Sequence, residues 1–204
     1  SSVYGDGAEA PFREDAPVDQ PVSLYAATKR ADELMSLTYA KLYGIQQVGM
    51  RFFTVYGPWG RPDMAYWSFT DRILRGETIR VFNGGQMRRD FTYIDDAVSG
   101  VTAIALANAD YSQLPRPHKI YNIGHNQPVQ LLDFIGEIER ATGVKARMAM
   151  EPMQPGDVTE TCADITRMKT DYGYDPKVSL GEGIDRFVAW FRTQRVEAGP
   201  TPSV

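Results

Sequence analysis

Stretches with helical spacing of apolar residues alternate along this chain with apolar runs of strand length, and that alternation restricts the fold more than any other feature. Ser23 stands where an N-cap belongs, and Leu24, Ala27, Ala31, Leu34, Met35, Thr38 and Leu42 then recur at helical intervals until Gly44 stops the run. A helix of about five turns is predicted there. Gln46 to Phe53 reads as a short buried strand, and Thr54 to Pro62 as a loop leaving its end. Further helices are expected over Ala65–Leu74, Asp95–Ala109, Val129–Thr142, Asp164–Tyr172 and Leu180–Arg192. Short strands are expected at Ile79–Phe82 and Asp90–Tyr93, around the turn Asn83-Gly84-Gly85, and at Ile120–Ile123 and Arg147–Glu151. The fold class is α/β. Tyr4 to Val22, rich in Gly, Pro, Asp and Glu, is a surface loop, Ser1 to Gly5 reads as the end of a buried strand entering a turn, and the polar tail from Val196 to Val204 is expected to fray.

Composition removes several function classes. A net charge of -4 and a pI near 5.3 argue against a non-specific nucleic-acid binder, so any phosphate recognition has to be local. With 204 residues and 43% hydrophobic content the chain can bury a real core. The single cysteine, Cys162, has no internal disulfide partner, and His118 and His125 are too few for a metal cluster, so no metal is expected and a reducing cytoplasm is the simplest reading. No apolar run approaches the roughly 18 residues that cross a bilayer.

Tyr25 and Lys29 lie four residues apart in the first predicted helix and therefore share a face. A phenol is a poor base at neutral pH, and a nearby ammonium favours its ionised form, so the pair can act as an acid/base device. Spacing alone does not separate this from two ordinary surface side chains.

The run Ser23-Leu24-Tyr25-Ala26-Ala27-Thr28-Lys29 resembles the Tyr-x-x-x-Lys signature of the short-chain dehydrogenases/reductases, and Ser2-Val3-Tyr4-Gly5 ahead of it resembles the extended branch of that superfamily, the NAD-dependent epimerases and dehydratases. The resemblance implies that Tyr25 exchanges a proton with a sugar hydroxyl while NAD exchanges the hydride, and that Lys29 supports Tyr25 and holds the nicotinamide ribose. The Ser or Thr that the family places four residues before the tyrosine of Val-Tyr-Gly would fall one residue ahead of Ser1. Ser1 and Ser2 stand where the dehydratase branch carries an Asp-Glu pair, and two hydroxyls cannot do that acid/base work, which disfavours a dehydratase.

The segment Arg51-Phe52-Phe53-Thr54-Val55-Tyr56-Gly57-Pro58-Trp59-Gly60-Arg61-Pro62-Asp63-Met64-Ala65 closely resembles its counterpart in the UDP-glucuronate 4-epimerases. A hexuronic acid carries a carboxylate that a site must neutralise with hydrogen bonds and an arginine fork. The resemblance implies that Thr54 and Arg61 clasp it; without the resemblance, Arg61 would be read as pairing with Asp63 on a loop. It likewise implies that Phe82 packs on the uracil, that Arg89 reaches the diphosphate, and that Gln154 and Asp157 contact phosphate and ribose, although many relatives have Arg at the Gln154 position. Taken singly, Phe82 reads as core, Arg88 and Arg89 as solvated charges, and Asp157 as a turn former.

The expectation is therefore the C-terminal part of an extended short-chain dehydrogenase/reductase, with a partial Rossmann-type sheet and a small α/β substrate-binding domain. Residues 1–62 would finish the NAD-binding domain, 63–195 would be mainly the UDP-sugar domain with some segments returning to the sheet, and 196–204 would be tail. No G-x-G-x-x-G occurs in the sequence, and Gly5-Asp6-Gly7 is followed by Ala10 where the third glycine would stand, so the main cofactor motif is expected upstream of residue 1. The parent enzyme would interconvert UDP-glucuronate and UDP-galacturonate at C4 with NAD, as a cytoplasmic homodimer in surface-polysaccharide synthesis. The alternatives are another NAD-dependent UDP-sugar epimerase or, for the isolated chain, a catalytically silent nucleotide-sugar-binding fragment.

Overall fold

A computed structural model describes residues 1–5, 8–107, 117–154 and 157–198, with side chains to residue 194. Helix α1, Leu24–Tyr43, begins where the Ser23 hydroxyl accepts the Ala26 N–H at 3.1 Å and ends at Gly44, whose φ of 64° is the left-handed geometry that glycine reaches without a Cβ clash. Strand β1, Gln47–Phe52, follows and pairs in parallel with β5, His118–Ile123. A single residue, Phe53, separates β1 from β2, Thr54–Tyr56, which joins a different sheet.

Helix α2 spans Ala65–Leu74, β3 Thr78–Phe82 and β4 Arg88–Tyr93; α3 spans Ile94–Leu106. After β5 come β6, Pro128–Gln130, α4, Leu131–Thr142, β7, Arg147–Glu151, α5, Thr166–Tyr172, and α6, Leu180–Ala198. The second sheet has the order β2-β4-β6, parallel then antiparallel, and a third pairs β3 with β7 in parallel.

Four expectations change. Thr54–Tyr56 is strand rather than loop, because its partner, Phe91–Tyr93, is remote in sequence and invisible to local composition. Ser2–Tyr4 is one turn of 3-10 helix rather than a strand end, with Val3 and Tyr4 buried and the Tyr4 hydroxyl donating to Asn122 at 2.6 Å. Residues 128–130, the last two of which were expected to be helix, form β6, and α6 runs on to Ala198 through residues expected to be tail. Ala109, at the end of one predicted helix, and residues 199–204 lie outside the described residues.

Two apolar cores form. One gathers Tyr56, Tyr66, Ile79, Val81, Phe91, Phe134, Ile138, Ile184 and Phe187 between α2, α4, α6 and the strands. The other joins Val3, Tyr4, Phe12 and Phe53 to Tyr121, Ile123, Ala163 and Met168, so later segments of the chain return to pack on the first. Strand β4 gives Phe91 and Tyr93 to the first core, and Asp90 on it accepts the N–H of Ala163 in the second.

Candidate active site

The cavity beside β2, β3 and β4 has a volume of about 340 Å³. Parallel pairing of Thr54 with Phe91 brings the first strand end to it, and the alternation of side chains along β3 turns Arg80 and Phe82 to the same side. Thr54, Phe82, Arg89 and Asp157 all line it, with Asp63, Met64, Tyr66 and Arg80. A larger hollow of about 580 Å³ lies at Gly85, Arg88, Gln130, Asp133 and Glu160, where Arg88 and Glu160 pair at 3.1 Å. It touches none of the residues read from the sequence as site residues, and it is an open groove, so the smaller cavity is the candidate.

Arg89 is 16% exposed in its side chain and donates to Asp157 at 2.7 Å. Burial holds the Arg89 guanidinium below its usual pKa, and the Asp157 carboxylate opposes that shift. Asp157 also lines an adjoining hollow of about 200 Å³ with Ser1, Ser2, Val22 and Ser23, so it bridges the cavity to the start of α1. Arg80 places its guanidinium 5.0 Å from the Phe82 ring centroid and is held by both oxygens of Glu151 on the neighbouring strand. Arg80 escaped the sequence reading; the two-residue strand period linking it to Phe82 was the available signal.

The remaining predicted residues are not in this lining. Tyr25 and Lys29 do share a face of α1, with the Lys29 ammonium 5.8 Å from the Tyr25 ring centroid, and Tyr25 is 62% exposed. Lys29 also donates to Asp32 at 2.9 Å, and that bond pushes the Lys29 pKa up. Arg61, 73% exposed, lies 3.4 Å from Asp63 and 3.5 Å from the Met64 sulfur, at the cavity rim rather than in it. The Tyr66 hydroxyl feels both Arg61 and Asp63, while its own burial pushes its pKa up. Gln154 is exposed, and its carbonyl accepts the Asp157 N–H at 3.2 Å.

Asp90 is fully buried and was not anticipated. Its carboxylate accepts the N–H of His125 at 2.8 Å, of Asn126 at 3.1 Å and of Ala163 at 2.8 Å, which ties β4 to the loop after β5 and to the segment that carries Asp157. Burial pushes the Asp90 carboxyl up, against those three bonds.

Among the described residues no group of His, Cys, Asp and Glu could hold a metal ion, and no helix is long and apolar enough to cross a membrane. Cys162 is free and buried, and burial pushes its thiol up to about 11.

The parallel β2–β4 pair beside a cavity with an arginine at one side and an aromatic at another, on a chain whose α1 carries Tyr25 and Lys29, is the fold of an extended short-chain dehydrogenase/reductase. The chain belongs to the NAD dependent epimerase/dehydratase family, whose model matches residues 1–124. It is similar to UDP-glucuronate 4-epimerase 5 of Arabidopsis thaliana, 46% identical over 202 residues that cover 94% of this chain and 46% of that protein. It is also similar to a probable UDP-glucuronate 4-epimerase of Rhizobium meliloti, 42% identical over 94% of this chain and 60% of that one. Among solved structures, the UDP-glucuronic acid 4-epimerase of Bacillus cereus in complex with UDP-glucuronic acid and NAD superposes with a TM-score of 0.87 at 33% identity, over 96% of this chain and 60% of that one. The chain spans between 46% and 61% of the length of the curated relatives it matches.

Proposed function

We propose that this chain supplies the proton-transfer pair and the nucleotide-sugar cavity of an NAD-dependent enzyme that interconverts UDP-glucuronate and UDP-galacturonate at C4. The observation that carries the proposal is the convergence of Thr54, Phe82, Arg89 and Asp157 on one cavity of about 340 Å³. The names of the similar proteins point the same way.

The roles follow from the chemistry of the side chains. Arg89 is the buried cation for the diphosphate, Phe82 offers a flat apolar face to the base, and Asp157 accepts from ribose hydroxyls, with Gln154 beside it. Thr54 donates to the sugar acid from inside the cavity, and Arg61 reaches its carboxylate from the rim. The Tyr25 phenolate takes the proton from the C4 hydroxyl, becoming the phenol, and returns it after the sugar ring has turned, while the neighbouring Lys29 ammonium offsets the phenolate charge. Tyr25 and Lys29 fit a bound NAD, because a hydroxyl and an ammonium on one exposed helix face can both meet the nicotinamide ribose. The cofactor, when bound, supplies removal and return of hydride at C4.

In this reading residues 1–62 belong with the cofactor domain and 63–195 mainly with the UDP-sugar domain. The parent is a homodimer that packs the exposed Leu24, Met35, Tyr39 and Leu42 of α1, in a reducing compartment that suits the free Cys162. The 204 residues alone form a nucleotide-sugar-binding module without turnover, a second reading favoured because the cavity is built wholly from this chain while no G-x-G-x-x-G occurs in it.

The test is to titrate the chain with UDP-glucuronate by calorimetry, and to assay it with NAD for UDP-galacturonate, alone and in an enzyme that includes a dinucleotide-binding half. Binding without turnover in the first case and turnover in the second is expected. A full enzyme whose Tyr25→Phe variant keeps its rate would remove Tyr25 from the chemistry.

A further inference from the structure

Arg61 follows two residues whose backbone is unusual. Trp59 has φ 63°, a left-handed conformation unfavourable for any bulky side chain, and it is 80% exposed. Gly60 has no room for a side chain: a Cβ there would sit 1.4 Å from the Tyr66 hydroxyl oxygen. An exposed tryptophan in a disfavoured backbone needs something to hold it, and here that is another ring.

The Trp59 ring lies 5.5 Å from that of Trp190 on α6. Trp190 continues to Phe187 at 5.9 Å, and Phe187 meets Tyr66 edge-on at 4.9 Å. Tyr66 in turn carries the Gly60 backbone on its hydroxyl and lines the cavity. The contacts therefore close a ring that runs from Trp59 through Trp190, Phe187 and Tyr66 back to Gly60. Trp190 keeps its Nε1 buried with no hydrogen-bond partner among the described residues, so its hold on Trp59 is by ring contact. Beyond this clamp the chain turns at once, with the Met64 N–H donating to the Arg61 carbonyl at 3.2 Å, so the start of the Arg61 side chain is fixed from both sides.

We propose that Trp59 is a positioning residue for substrate charge: by clamping the strap formed by residues 59–61 against Trp190 it fixes where the Arg61 guanidinium can enter the cavity, and so sets the preference for a sugar carboxylate over a hydroxymethyl group. The proposal rests on the reading of Arg61 as the carboxylate partner. It does not require Trp59 to touch the ligand.

The experiment measures dissociation constants of UDP-glucuronate, UDP-glucose and UDP for the full-length enzyme with NAD, and for its Trp59→Phe, Trp59→Gly, Arg61→Ala and Trp59→Gly/Arg61→Ala variants. Glycine suits the left-handed backbone, so Trp59→Gly removes the ring without straining the strap. Trp59→Gly is expected to lower the preference for UDP-glucuronate about tenfold, toward the Arg61→Ala level, with UDP itself unchanged. Trp59→Phe should keep the preference within about twofold, and the double variant should match Arg61→Ala, because both changes remove one interaction. Loss of Arg61→Ala preference with Trp59→Gly unchanged overturns the proposal and leaves the Arg61 reading standing. Retained preference in Arg61→Ala removes that reading and the proposal together. Equal weakening of all three ligands by Trp59→Gly, or a further loss in the double variant, also overturns it.

Discussion

Arg89 and Asp157, 68 residues apart in the chain, meet at 2.7 Å on the cavity wall. The pair keeps a largely buried guanidinium neutralised, and a diphosphate can take over that task while Asp157 turns to sugar hydroxyls. Arg89→Met is expected to weaken UDP binding by about 2 kcal/mol, roughly thirtyfold, and Arg89→Lys by less, since lysine keeps the charge but loses the fork. Calorimetry with UDP is the check; an unchanged affinity in Arg89→Met would place the diphosphate elsewhere.

Asp32 competes with Tyr25 for the Lys29 charge: it holds the ammonium at 2.9 Å, whereas the ring centroid of Tyr25 is 5.8 Å away. Asp32→Asn should bring the Lys29 pKa down, because the bond that raises it is lost, and NMR titration of the Lys29 side chain measures the change. An unchanged Lys29 titration would show that Asp32 does not hold the ammonium.

Much of this fold could be read from the sequence where the signals are local. Ser23 and Gly44 mark both ends of α1, and α2 coincides with its predicted span, Ala65–Leu74. What escaped is what only the tertiary structure decides. Strands β2 and β6 have three residues each, too few for a period to register, and the latter opens on Pro128. Of the residues expected at the site, Thr54, Phe82, Arg89 and Asp157 were named because a resemblance put them in order, and these four line one cavity, while Tyr25, Lys29, Arg61 and Gln154 lie outside its lining. Asp90 was not legible: a lone aspartate in a strand says nothing of the Ala163 N–H, 73 residues on, that it accepts.

Helix α1 is fixed to the sheet by charge. Arg51 on β1 is 5% exposed and bonds both oxygens of Glu33, at 2.7 and 2.9 Å. Burial alone would push the Glu33 carboxyl up, but the bonds from Arg51 and then Arg30 outweigh it and leave the carboxyl below its usual range. A depressed carboxylate contributes stability that is present above its unfolded pKa and lost as pH falls through the folded value. Glu33→Gln should therefore cost about 3 kcal/mol at neutral pH, because Arg51 is left buried without a counter-charge, and should lose less than the parent on acidification. Urea unfolding at pH 7 and at pH 4 measures both; parallel losses would show that Glu33 does not anchor α1.

Asp90 offers the sharpest test of how the site is held, because one carboxylate fixes three backbone donors from two separate segments. Gly124 beside it has no room for a Cβ, which would lie 2.4 Å from that of Ala163 and 2.9 Å from an Asp90 oxygen, so the hub is also sterically closed. Asp90→Asn keeps the volume but turns an amide N–H against a backbone N–H, leaving a buried donor unmet at about 2 kcal/mol. Thermal unfolding should register that loss. Hydrogen exchange should accelerate at Asn126 and Ala163, and UDP should bind more weakly, because the segment from Asp157 to Ala163 loses its tether to β4. Normal exchange at Ala163 in a stable Asp90→Asn variant would show that backbone pairing, such as the Thr161 N–H to the Arg88 carbonyl at 3.0 Å, suffices to hold Asp157 in place.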